Sequence, residues 1–162
     1  MGPAGAIIMS FFALVFCGLV AVPRLGWLTA WTIVPALVTS AIVVAAVVKL
    51  RNPNHRNQRD ARAGRIMMWA SLAEGIGLFI IVNVFINVHL AARVIPGMAL
   101  VIGLHFLPMA YGIPFKRFYV LAVAILVASA VGFVTNPILA PWCSAVGSAA
   151  ALWIASMYAL KN

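Results

Sequence analysis

The sequence predicts an all-α, polytopic membrane protein: six transmembrane helices forming one domain over residues 1–162, with both termini cytoplasmic. Three observations carry that reading. First, 65% of the 162 residues are hydrophobic and only 8% are charged, against roughly a quarter charged in a soluble domain, so the chain cannot build a water-facing surface. Second, the apolar residues fall into runs of about 20, the length that crosses a hydrocarbon core. Third, 11 of the 13 charged residues are Lys or Arg, and they stand between the apolar runs instead of forming one face. A net charge of +9 would otherwise suggest nucleic acid; in this arrangement the charges are topology signals, and no nucleic-acid partner is expected.

The first span is expected over 3–22. No Lys or Arg precedes it, and Phe16 before Cys17 is too large for a lipoprotein cleavage site, so it reads as a retained span and not a signal peptide. The second runs over 27–48 and carries Pro35, which predicts a shallow kink. The longest polar stretch, Arg51 to Arg65, then leads into the third span, 66–88. The fourth covers 94–113. The remaining apolar stretch, 118 to 160, is far too long for one crossing. Thr135-Asn136-Pro137 offers a turn with proline at a helix start, which divides it into spans over 118–136 and 138–160.

Positive charge is retained on the cytoplasmic side, so the basic residues set the orientation. With both termini inside, Lys49, Arg51, Arg56, Arg59, Arg62, Arg65, Lys116, Arg117 and Lys161 lie inside, and only Arg24 and Arg93 lie outside. Trp27, Trp31, Trp142, Tyr119 and Tyr158 fall where interfacial aromatic belts sit.

Two acidic residues exist. Asp60 lies among the loop arginines and reads as a solvated partner of Arg56 or Arg62. Glu74 stands nine residues past Arg65, about 13 Å into the membrane at about 1.5 Å per residue. His105 stands eleven residues before Lys116, about 16 Å from the same interface. Successive spans joined by a short loop pack antiparallel, so the two side chains can meet. An ionised group at this depth costs at least about 2.5 to 3.5 kcal/mol, so each needs a partner, a proton change or water. As a pair they can share a single proton, because burial and mutual attraction act on it in opposite senses. The bland alternative is a polar fastener between two helices.

Pro108, three residues on from His105, predicts a kink that turns the Leu104 carbonyl toward the imidazole. Around Glu74, residues Ala70, Ser71, Ala73, Gly75 and Gly77 are small; Ala124, Ala128 and Gly132 recur at four-residue spacing, as do Cys143, Gly147, Ala151 and Ala155. These seams predict close helix packing. Cys17 and Cys143 fall at similar depth, so a disulfide is a geometric option if the first and last spans touch.

Metal spacing is missing, because His55, His89 and His105 fall in different layers, and neither a metal nor a cofactor is expected. Phosphate loops and hydrolase elbows are missing too. Arg56, Arg59, Arg62 and Arg65 recur every three residues, spraying charge around a helical extension of the third span and suiting anionic lipid headgroups at the cytoplasmic face. A short echo links Leu37-Val38-Thr39-Ser40-Ala41 with Leu126-Val127-Ala128-Ser129-Ala130, and Trp69-Ala70-Ser71 with Trp142-Cys143-Ser144; a three-span duplication would make inverted halves.

Gly103-Leu104-His105-Phe106-Leu107-Pro108, followed by Phe115-Lys116-Arg117-Phe118-Tyr119, resembles small bacterial multi-spanning membrane proteins of unknown function that carry a Gly-x-His-Phe-x-Pro segment. The resemblance covers residues 103 to 119. It implies a bacterial inner-membrane helical bundle and draws attention to Gly103, His105 and Pro108, and it brings no reaction with it. The expected function is transport of a proton, ion or small solute through a multi-pass inner (plasma) membrane protein centred on Glu74 and His105. A non-catalytic accessory or scaffold protein stands second, and an intramembrane lipid-modifying enzyme third. The bilayer and a second copy of the chain are the candidate partners.

Overall fold

The computed structural model describes residues 3–27, 29–51, 61–112 and 117–161, with the side chains of 61–63 excepted. Six α-helices follow in order: α1 (Pro3–Leu25), α2 (Ala30–Leu50), α3 (Ala61–Asn87), α4 (Val94–Gly112), α5 (Arg117–Val134) and α6 (Ala140–Lys161), with a 3-10 turn at Ala91–Arg93 before α4. Each of the six is long and apolar enough to cross a membrane. Among the described residues no strand occurs.

Local chemistry sets the helix ends. Gly26 adopts φ 85°, and its N–H donates to the Val22 carbonyl at 3.0 Å, the left-handed glycine cap that stops α1. At the start of α2, the Thr29 N–H donates to the Thr32 hydroxyl at 3.2 Å, so threonine takes the place that Glu or Gln holds in a capping box. The α5–α6 junction follows the turn expected at Thr135-Asn136-Pro137: the Asn136 side-chain oxygen accepts from the N–H groups of Ile138 and Leu139 at 3.1 and 2.9 Å. Pro137 follows directly, a residue with no N–H to leave orphaned at a helix start.

Two compact units divide the chain. One holds Met1–Gln58 with Ala149–Asn162, the other Arg59–Ser148. In the first, α1 packs on α2. The buried Thr39 hydroxyl donates to the Ser10 carbonyl at 3.2 Å, and Trp153 of α6 donates its indole N–H to the same hydroxyl at 3.1 Å. Lys49 reaches the Leu160 carbonyl at the end of α6, where a cation satisfies an orphan carbonyl and meets the negative end of the helix dipole.

In the second unit, α4 packs on α3 and on α5. Ser129 of α5 donates to the Pro96 carbonyl at 2.8 Å, and Ser144 of α6 donates to the Ala128 carbonyl at 3.0 Å. Backbone contacts this close need small residues, which the α5 seam at Ala128 and Gly132 provides. Arg93 turns its guanidinium onto the Gly132 and Thr135 carbonyls at 2.6 and 3.0 Å, capping the end of α5. Phe106 and Phe118 stack with centroids 5.8 Å apart. Cys17 and Cys143 are both free thiols.

Candidate functional site

The α3–α4 hairpin turns at His89, which adopts φ 58°. Its N–H donates to the Ile86 carbonyl at 3.1 Å, and the Leu90 N–H donates to the Phe85 carbonyl at 2.8 Å. That is a Schellman cap with histidine in the position glycine usually holds. The tight turn fixes an antiparallel register, and glycines let the two helices close. A Cβ added at Gly97 would stand 2.5 Å from Ile81 and 2.7 Å from Phe85, and one at Gly77 would stand 2.9 Å from Val101. Gly112 lies as tightly on Ile66. From 66 against 112 to 77 against 101 to 81 against 97, each step forward on α3 is matched by a step back on α4.

That register brings Glu74 opposite His105. The carboxylate Oε2 lies 3.4 Å from the imidazole Nδ1, with the Glu and His side chains about nine-tenths buried, at 11% and 9% exposure respectively. Glu74 is thirteen residues from either end of α3, so it sits at mid-helix. Among the described residues the Nδ1 atom has no hydrogen-bond partner; the carboxylate is within reach of a charge contact, but the two groups are not aligned as donor and acceptor. The arrangement is a buried carboxylate–imidazole pair in charge contact whose ring nitrogen, among the described residues, makes no hydrogen bond.

The other candidates take different places. Gly103 is buried, but an added Cβ there would meet Leu126 of α5 at 2.9 Å, so its smallness serves the α4–α5 seam. Pro108 is exposed on α4, one turn past His105, and the helix continues through it to Gly112. Arg65 is exposed in the second turn of α3. Arg56, Arg59 and the side chain of Arg62 lie outside the described residues, as does Asp60. Among the described residues no three His, Cys, Asp or Glu side chains cluster as metal ligands would.

The sequence reading missed the polar contacts that buried serines and threonines make to carbonyls of neighbouring helices. Ser129 and Thr39 look like any other small polar residue in an apolar run, and their partners are backbone atoms that no residue type announces. Compared with protein-family models, with curated proteins and with solved structures, the chain matches none. The functional reading therefore rests on the geometry of the site.

Proposed function

We propose that this is a bacterial inner-membrane protein, with both termini cytoplasmic, that moves a proton, an ion or a small solute coupled to a proton through the Glu74–His105 pair. One observation supports this above the rest: among the described residues, His105 Nδ1 is buried beside Glu74 without a hydrogen bond. A polar pair kept only to fasten two helices gains its stability by making that bond, and leaving a buried nitrogen unsatisfied costs about 1–3 kcal/mol. The hairpin has no need of such a fastener, because glycine contacts close α3 on α4 on both sides of the pair. Buried ionisable groups at this depth belong as a rule to proton and ion pathways. The arginine-rich segment ahead of α3 would hold anionic lipid at the cytoplasmic face.

The test is flux. Wild type, Glu74→Gln and His105→Ala are reconstituted in liposomes loaded with a pH-sensitive dye. The wild type conducts protons, or changes internal pH when a solute gradient is imposed, and each substitution removes the signal. If the wild type shows no flux under any gradient while both variants only unfold earlier, the transport reading is overturned and the pair belongs to a structural or accessory membrane protein.

A further inference from the structure

Helices α1 and α2 enclose a second feature, remote in the chain from Glu74 and His105. A cavity of about 600 Å³ lies between the last part of α1 and the first turns of α2, with Leu14, Cys17, Gly18, Pro23, Trp27 and Ile33 among its lining residues. That volume is within the ordinary range of small-molecule sites, about 300 to 1,000 Å³. Gly18 opens directly onto this space: a Cβ added there would meet nothing within 4 Å.

Length and charge identify the occupant. From Leu14 to Pro23 is nine residues of helix, about 13 Å at about 1.5 Å per residue. Half of a hydrocarbon core is about 15 Å. The groove therefore follows one leaflet, from the hairpin at the interface to near the bilayer centre. At its interfacial end stand Trp27, exposed and amphipathic, and the exposed Arg24 next to lining Pro23. Arg24 makes a long contact to its own helix, from Nη1 to the Val20 carbonyl at 3.4 Å. Both acidic residues of the chain, Asp60 and Glu74, lie outside α1 and α2, so neither helix offers Arg24 a carboxylate. A guanidinium held at the headgroup level above an apolar channel of leaflet length matches one molecule, an anionic phospholipid with one acyl chain in the channel and its phosphate on Arg24.

We propose that the α1–α2 groove is a specific binding site for an anionic phospholipid, retained by Arg24 and distinct from the surrounding bulk lipid. Cys17 lines the groove and reports on its occupancy. In a Cys143→Ala background, delipidated protein in detergent is alkylated with N-ethylmaleimide, with and without dioleoylphosphatidylglycerol or dioleoylphosphatidylcholine. The anionic lipid is expected to slow modification of Cys17 at least fivefold at a concentration where the zwitterionic lipid does not. Arg24→Gln, a change at an exposed position, removes the difference between the two lipids. Gly18→Leu fills the groove and makes Cys17 slow to react with or without lipid, while thermal unfolding confirms that the variant is folded. Equal protection by both lipids, protection by neither, or an unchanged preference in Arg24→Gln overturns the proposal.

Discussion

At position 89 a histidine occupies a backbone conformation that favours glycine. Its φ of 58° places a Cβ where the left-handed conformation costs roughly 1–2 kcal/mol. His89→Gly is therefore expected to raise stability by up to about 1 kcal/mol, and the β-branched His89→Val to lower it, measured by thermal unfolding in detergent. A loss of stability in His89→Gly would show that the imidazole makes a contact worth more than the strain. Two buried serines allow the converse comparison. Ser129 donates to the Pro96 carbonyl, whereas the Ser148 hydroxyl is buried with no partner among the described residues. Interhelical hydrogen bonds in membranes contribute about 0.6 kcal/mol on average, so Ser129→Ala should destabilise by about that much. Ser148→Ala removes an unsatisfied hydroxyl and should be neutral or stabilising. Equal losses in the two variants would mean that hydroxyl bonding is not what separates them.

Among the elements, the α3–α4 hairpin carries the most information, because one register accounts for three glycine contacts and the Glu74–His105 approach. Gly97→Leu is expected to break that register: the new side chain meets Ile81 and Phe85, where even a Cβ would be 2.5 and 2.7 Å away. Overpacking of this kind costs about 1–3 kcal/mol. Adding Ile81→Ala opens room on the facing helix and should recover part of the loss, a coupling that a double-mutant cycle reads directly. Additive effects would remove Gly97 from the seam. The approach of Glu74 and His105 was legible in the sequence because rise per residue, counted from the charged helix ends, puts the two positions at the same level on antiparallel helices. The six helix positions were legible for the same reason, with ends displaced by up to five residues, as at α3, which starts at Ala61 instead of 66. What apolar runs cannot show is the azimuth. Gly103, two residues from His105, faces Leu126 of α5, and only packing decides that. The repeat echo does not extend to burial. Ser129 and Ser144 are buried donors, while their counterparts Ser40 and Ser71 are exposed, so the matching strings do not mark equivalent environments.

For the whole molecule, the helix count and the charge distribution make a joint claim. Six crossings would put both termini on one side, and the basic residues near the helix ends would choose which side. Nine of these stand at the N-terminal side of α3, the C-terminal side of α2, the α4–α5 connection and the end of α6; Arg24 and Arg93 stand at the opposite ends. Arg93 is a poor topology signal in any case, because its guanidinium is engaged on the Gly132 and Thr135 carbonyls. Lys49 on the other side is engaged in the same way, on the Leu160 carbonyl, so setting both aside leaves the bias in the same direction. Green fluorescent protein fused after Asn162 or before Met1 should fluoresce in bacterial cells, and alkaline phosphatase inserted after Gly26 or after Leu90 should be active. Fluorescence at one terminus only would mean that one of the six helices does not cross. Activity of phosphatase fused at both termini would mean that the arginines ahead of α3 lie on the outer side. In that case the partner proposed for them at the cytoplasmic face would be lost as well, while the Glu74–His105 geometry and its flux test would stand unchanged.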